Sequence, residues 1–196
     1  MKRVPLLPTL VVGLAVAAMI ALGLWQLLDR LPRKEAFLAQ LAANPAKPVI
    51  AFPRTPDESL LFRRANGDCS APVSIALRGA GTSGFRAIAE CGGGNGMVVQ
   101  LGTTRDPKAK PVWSGGAVVG RIANAPDGRS LVGSLFDRTP GRLMLVLDPP
   151  VAGLAPNAPP KLDSVPNNHL AYAGQWFFFA IIASVIYVLA VRRRQG

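Results

Sequence analysis

Two long apolar segments without a formal charge, one near each end, constrain what this chain of 196 residues can fold into. The first runs from residue 9 to residue 28, and the second from residue 170 to residue 191. A helix needs about 20 predominantly apolar residues to cross a bilayer, which is longer than an ordinary core helix. We therefore expect two transmembrane helices, at 9–28 and 170–191, on either side of a central domain at 29–169.

The first segment has one alternative, a cleaved signal peptide. The chain starts with basic residues, and Ala21 and Gly23 have the spacing of small residues at a signal-peptidase site. The apolar run continues beyond Gly23 to Leu28, which favours a retained anchor. The central domain is expected outside the cell membrane on either interpretation.

Basic residues at both ends predict the orientation. Lys2 and Arg3 precede the first segment, and Arg192–Arg194 follow the second. Because loops rich in Lys and Arg stay on the cytoplasmic side, we expect residues 1–8 and 192–196 to be cytoplasmic. The central domain is then periplasmic in a bacterial-type inner membrane, and the chain is a multi-pass membrane protein.

The central domain has the pattern of a small, mainly β fold. Pro32 opens a short amphipathic helix that reaches Leu41, and a Pro-rich stretch at 149–166 reads as an extended linker back to the membrane. Alternating apolar residues between Gly-rich turns predict strands at 73–77, 86–91, 97–101, 111–113, 117–122, 130–132 and 142–147. The predicted fold is thus two transmembrane α-helices flanking a small exterior α+β domain, mainly β, with an antiparallel sheet or a partly closed barrel.

The two cysteines of the chain, Cys69 and Cys91, both lie in the central domain. An even pair in an oxidising compartment indicates a disulfide. Two free buried thiols and a metal site are the alternatives.

The composition gives little support to catalysis or to nucleic-acid binding. There is one His, no Gly-x-Ser-x-Gly, and the acidic residues are scattered, so we expect no enzyme. The net charge is +11, but no dense basic stripe with interleaved aromatic residues is present. Gly92–Gly96 precedes a predicted strand rather than a helix, so it indicates a hairpin turn and not a phosphate-binding loop.

A polar and aromatic stripe enters the second apolar segment. At helical spacing, His169, Tyr172 and Trp176 share one face, with Gln175 at its shoulder. At the membrane–water boundary, a neutral imidazole can ligate haem iron. An aromatic belt with a polar entry residue is the alternative interpretation.

A second polar group lies at the matching end of the first apolar segment. Trp25 and Gln26 are just inside the boundary, and Arg30 is four residues beyond Gln26. A Gln inside a membrane span usually needs a hydrogen-bonding partner. His169 and Gln175 are the candidates if the two helices pack.

These end segments resemble the two signatures of the Surfeit locus protein family. The opening one is Gly-Leu-Trp-Gln-Leu-Leu-Asp-Arg-Leu at 23–31, followed by Lys34. The closing one is Asn-His-Leu-Ala-Tyr-Ala-Gly-Gln-Trp-Phe at 168–177, followed by Tyr187 and the terminal arginines. The middle of the chain is divergent, because residues 97–107 lack the Asn-Arg-Gly-Trp core usual in the family.

The resemblance implies an assembly factor for cytochrome c oxidase that acts in respiratory chain complex IV biogenesis. It implies help with haem a insertion into the catalytic subunit or stabilisation of that subunit, with the haem a synthesis machinery and the bilayer as further partners. It makes His169 the candidate axial ligand, and it lets Arg30 or Lys34 pair with the propionates. The other candidate pocket residues are Trp25, Gln26, Tyr172, Gln175 and Trp176.

Two alternatives stay open. One is a chaperone or scaffold for oxidase subunits that holds no cofactor. The other is a copper-delivery protein that uses Cys69, Cys91 and methionine side chains, which the absence of a close Cys pair disfavours.

Overall fold

A computed structural model describes residues 5–71, 73–92, 96–126 and 141–195 of the chain. The chain divides into two compact units. One is a helical unit that combines Met1–Leu38 with Val165–Gly196, and the other, Ala39–Ser164, contains the sheet.

The helical unit is formed by two long apolar helices. The first, α1, spans Leu6–Trp25 and continues without a break through a π-helical turn at Gln26–Arg30 into α2, Leu31–Ala43. The second, α3, spans His169–Gln195. Both are long and apolar enough to cross a bilayer, and only 6% of the most apolar window of each is buried within the structure.

Helices α1 and α3 pack as an antiparallel pair. Their buried and half-buried residues recur every three or four positions, at Thr9, Val12, Val16, Met19, Gly23 and Gln26 on α1 and at His169, Ala173, Trp176–Phe177, Ala180, Ala183–Ser184 and Tyr187 on α3. An average repeat of 3.5 residues is typical of helices that wind around each other with side chains interlocked. Gly23, Ala173 and Ala180 are the most buried of these residues, so small side chains allow the two backbones a close approach.

The π-helical turn ends at Arg30, two residues before Pro32. Proline has no N–H to donate to the carbonyl group of Leu28, and its ring crowds that carbonyl in a regular α-helix. A wider turn at this point relieves the crowding. The sequence analysis predicts a separate short helix starting at Pro32, whereas the structure continues one helix from Leu6 to Ala43 with the π-helical turn inside it.

The sheet unit contains a seven-stranded sheet in the order β1-β2-β6-β7-β5-β4-β3. The strands are β1 Ile50–Ala51, β2 Arg64–Cys69, β3 Val73–Gly79, β4 Phe85–Cys91, β5 Val98–Thr104, β6 Gly116–Asn124 and β7 Leu143–Leu147. The β1–β2 and β5–β7 pairs are parallel, and the other four pairs are antiparallel. The prediction of an antiparallel sheet or a partly closed barrel is therefore wrong, because the sheet is mixed and its hydrogen-bonded order is open.

The mixed topology arises from strand insertion. Neighbouring strands do pair antiparallel for β3–β4 and β4–β5. The second pairing is the one predicted for strands on either side of Gly92–Gly96, although residues 93–95 lie outside the described residues. Strand β7 then lies between β5 and β6, parallel to β5 and antiparallel to β6. All five residues of β7 are buried, which is typical of a central strand covered on both faces.

The strand predictions differ from the structure at two places. Residues 111–113, predicted to pair with 117–122, are irregular. Strands β1 and β2 were not predicted, because β2 reads Arg-Ala-Asn-Gly-Asp-Cys and lacks an apolar alternation. The predicted strand at 130–132 lies outside the described residues.

A disulfide joins Cys69, at the end of β2, to Cys91, at the end of β4. In the sheet order, β2 and β4 are four strand positions apart, a distance of about 19 Å in a flat sheet. The two Cα atoms are 5.1 Å apart. The sheet is therefore strongly curved at this end, although its edge strands β1 and β3 do not pair.

The Pro-rich return segment is attached to β5 rather than free. Ala155 and Thr103 exchange two backbone hydrogen bonds, at N–O distances of 2.8 and 2.9 Å. The side chain of the buried Gln100 donates to Oδ1 of Asn157 over 2.7 Å, and Asn157 donates in turn to the carbonyl group of Leu147 over 3.0 Å. These contacts join residues 155–157 to β5 and to the end of β7.

Candidate functional site

The most distinctive polar contact of the helical unit joins His169 to Gln26. Nδ1 of the imidazole lies 2.8 Å from Oε1 of the carboxamide. His169 is the first residue of α3, and Gln26 is the first residue of the π-helical turn. Both side chains are half-buried. Because α1 and α3 run antiparallel, the last turn of one and the first turn of the other meet at the same end of the helix pair.

A second polar contact lies at the opposite end of the pair, where Thr9 Oγ1 and Tyr187 Oη are hydrogen-bonded. At 1.5 Å per residue, the two contacts are separated by about 26 Å along α1. This span is close to the hydrocarbon thickness of a bilayer, which is about 30 Å. The helix pair is thus held by a polar contact at each end, with apolar packing between.

The cations beyond Gln26 lie over aromatic rings. The guanidinium of Arg30 is 5.1 Å from the centre of the Trp25 ring, and Nζ of Lys34 is 5.3 Å from the centre of the Phe37 ring. Residues five apart are neighbours where backbone hydrogen bonds run from i to i+5, so the π-helical turn explains the contact between Trp25 and Arg30. Among the described residues, neither Arg30 nor Lys34 forms an ion pair.

Tyr172 and Gln175 face away from α1. Both are exposed, and together with Asn168 and Phe178 they line an open groove of about 590 Å³ on the outer side of α3. Of the two partners expected for Gln26, the structure brings His169 to it and leaves Gln175 in this groove.

Trp176 lies on the half-buried side of α3, and its ring meets the ring of Phe179 edge-on, with the ring centres 6.4 Å apart. Trp25 is 47% exposed at the matching end of α1. The predicted site residues therefore divide into two sets. His169, Gln26 and Trp176 belong to the helix interface, and Trp25, Tyr172 and Gln175 lie on its outer surfaces.

From the sequence, Gly23 and Gly174 would allow a close approach of the two helices; the structure buries Gly23 and leaves Gly174 exposed. Two contacts of this region are not predicted from the sequence. Gly23 packs directly against Phe177, since an added Cβ would lie 2.8 Å from the ring. The Thr9–Tyr187 contact is the second. The available signal was the spacing of Thr9, Gly23 and Gln26, which fall in phase with one heptad repeat on α1.

The disulfide occupies the two thiols that the copper-delivery alternative would need. Within 5–71, 73–92, 96–126 and 141–195, no three His, Cys, Asp or Glu side chains are grouped so that they could hold a metal ion. An iron site in this part of the chain would depend on the single imidazole of His169 and on a ligand that brings its own coordination sphere, as haem does.

A family model described as the SURF1 family matches residues 13–181, which is most of the chain. The chain belongs to the SURF1 family. This is a family of assembly factors known for cytochrome oxidase assembly, and the match extends over both the Gln26 and the His169 ends of the helix pair. No curated protein and no solved structure gives a significant match to this SURF1-family chain.

Proposed function

We propose that this SURF1-family protein assists the assembly of a haem–copper oxidase by holding haem a, as cargo, for insertion into the catalytic subunit. The observation that carries the proposal is the His169–Gln26 contact, which sets an imidazole at the end of an apolar helix pair. The chain acts as a carrier and not as an enzyme. The catalytic subunit is its principal partner, and the machinery that makes haem a would supply the cargo.

The residues around His169 fit a haem ligand. Nδ1 of the ring is engaged by Gln26, and no described residue bonds to Nε2, which stays open to a metal. The iron of bound haem would supply the coordination site for that nitrogen. Haem is an apolar plate with anionic propionates, and the neighbouring chain offers exposed apolar surface together with the cations Arg30 and Lys34.

The proposed location is a bacterial-type inner membrane, with both termini cytoplasmic and the sheet unit periplasmic. Two features support it. The outer faces of α1 and α3 expose large apolar side chains such as Leu14 at 71% and Ile181 at 62%, which lipid would cover. The Cys69–Cys91 disulfide is typical of an oxidising compartment.

Alkaline phosphatase, which is active only outside the cytoplasm, tests this orientation. Fused after residue 110 it should be active, and fused at the C-terminus it should be inactive. The reverse pattern would refute this orientation.

The test of haem binding compares two variants that each remove one interhelical polar contact. His169→Ala removes the candidate ligand, and Thr9→Ala removes the contact at the other end of the pair. Each full-length protein is purified in detergent from cells that make haem a, and its visible spectrum is recorded. We expect wild-type protein and Thr9→Ala to retain haem and His169→Ala to lose it. Equal haem content in all three would rule out His169 as the ligand.

A second candidate function is that of a chaperone for oxidase subunits without a cofactor. It is favoured by an apolar groove of about 420 Å³ on the helix pair, lined by Ile20, Phe177, Ile181 and neighbouring residues but not by His169. A helix of the catalytic subunit could lie there. If wild-type protein carries no haem, and oxidase is lost with Ile181→Trp but not with His169→Ala, this second function is correct.

A further inference from the structure

The hydrogen bond between Gln26 and His169 determines which imidazole nitrogen carries the proton. Oε1 of a carboxamide can only accept a hydrogen bond. In the structure Oε1 is the carboxamide atom that faces Nδ1, at 2.8 Å, and with the carboxamide in this orientation Nδ1 donates and carries the hydrogen. In a neutral ring the other nitrogen, Nε2, then has a free lone pair.

The position of Gln26 is set by the backbone on both sides of it. One turn earlier on α1, Gly23 is buried against Phe177 and allows the two helices to approach closely. The π-helical turn that precedes Pro32 begins at Gln26 itself. No other described residue accepts a hydrogen bond from the His169 ring, so Gln26 alone sets the state of that ring in the described structure.

We propose that Gln26 is a positioning residue, which holds His169 in its Nδ1–H form and so leaves a bare Nε2 on the side of the ring away from Gln26, ready to bind a metal. Ligating histidines commonly donate their other ring N–H to an acceptor that fixes the ring and strengthens the ligand. Here the acceptor would come from a neighbouring helix, which couples the ligand to the packing of the pair. The consequence for haem rests on the function proposed above, whereas the tautomer can be measured without haem.

The tautomer is directly measurable because the chain has a single His. Full-length protein labelled with ¹⁵N only in histidine is placed in lipid nanodiscs at about pH 8, where an ordinary imidazole is neutral. The ¹⁵N shifts separate a protonated ring nitrogen from a bare one. We expect a proton on Nδ1 and a bare Nε2 in the wild-type protein. A predominant Nε2–H form would overturn the proposal.

Three variants assign the effect to Gln26. Gln26→Leu removes the acceptor and should give a mixture of the two tautomers. Gln26→Glu retains an acceptor oxygen and should keep the Nδ1–H form. That result would show that the helix pair still folds with a changed side chain at this position. Gln40→Leu is the matched control, because Gln40 is exposed on α2, and it should leave the signals unchanged. A wild-type spectrum in Gln26→Leu would refute the positioning role.

A second measurement separates this inference from the proposed function. Haem b is titrated into the same purified proteins, and binding is followed by its visible spectrum. Loss of an outer hydrogen bond typically weakens metal binding by about 10–100-fold, so Gln26→Leu should bind roughly 10–100-fold more weakly and Gln26→Glu should not. If the wild-type protein shows the Nδ1–H form but binds no haem, the tautomer assignment stands and the haem proposal fails. If Gln26→Leu binds haem as tightly as the wild-type protein, Gln26 is not a positioning residue for iron.

Discussion

A single methyl group at Gly23 tests whether α1 and α3 pack in the register described. An added Cβ would lie 2.8 Å from Cε1 and 2.9 Å from Cζ of Phe177. Carbon atoms in favourable contact are about 3.5–4.0 Å apart, so the methyl group of Gly23→Ala is short of room by roughly 1 Å. Either the Phe177 ring turns aside or the two helices separate by a similar amount.

The separation has two expected consequences. Overpacking of this kind typically destabilises a packed interface by about 1–3 kcal/mol. Gln26 is one helical turn from Gly23, so the same displacement would lengthen the 2.8 Å contact between Gln26 and His169 to roughly 3.8 Å, which is beyond hydrogen-bonding distance. Gly23→Ala should therefore weaken the helix pair and also release the His169 ring.

Gly13→Ala is the matched control, because Gly13 lies on the same helix and an added Cβ there meets nothing within 4 Å. Both variants share the gain in helix propensity of about 1 kcal/mol, so their difference isolates the packing term. The assay is a titration of the full chain with SDS in mixed micelles, followed by tryptophan fluorescence, together with the ¹⁵N spectrum of His169. If Gly23→Ala and Gly13→Ala give the same midpoint and the same imidazole signals, the register is incorrect.

Three further predictions concern the sheet unit. Reduction of its disulfide, whose cysteines are 22 residues apart, should destabilise the unit by about 3 kcal/mol on the chain-entropy model, measured as a urea midpoint from hydrogen-exchange protection. The buried Asn44 donates to two backbone carbonyl groups over 2.7 and 2.8 Å, so Asn44→Leu should cost roughly 2–4 kcal/mol by the same assay, and the exposed control Asn124→Leu should have little effect. The hydroxyl and backbone N–H of Ser59 lower the pKa of Asp57, so the stabilisation they provide is present above the unfolded value of about 3.9 and is lost as the pH falls through the lower folded value. An NMR titration should give a midpoint for Asp57 that rises in Ser59→Ala, and an unchanged midpoint would contradict this cause.

Local sequence signals predict the elements that depend on local interactions. The length and the absence of charge in 9–28 and 170–191 predict two long apolar helices, and the structure has them as α1 and α3. Alternation of apolar residues predicts β4 and β5 to within a few residues, and the Gly-rich segment between them predicts their antiparallel pairing. Each of these elements depends on interactions between residues that are close together in the sequence.

The strand order depends on contacts that are distant along the chain. Strand β7 separates β5 from β6 although β5 and β6 follow each other in sequence. Burial on both faces removes the alternation that would indicate which neighbour β7 takes, since all of Leu143–Leu147 is apolar. Strand β2 is stabilised by its pairing with β6 and by the disulfide. Cys69 indicates the disulfide, but the pairing with β6 leaves no apolar alternation in the six residues of β2.

In the candidate site, too, the sequence predicts what depends on local residues but not what depends on contacts distant along the chain. Residue type and position at the matching ends of the two apolar segments identify His169 and Gln26 as possible partners, but they do not distinguish His169 from Gln175 as the partner of Gln26. The rotation of α3 decides this, and the rotation is set where Gly23 meets Phe177. The hydrogen bond is therefore a consequence of apolar packing one turn away. For this reason, Gly23→Ala and Gln26→Leu should change the same His169 signal by different routes, the first by moving the acceptor and the second by removing it.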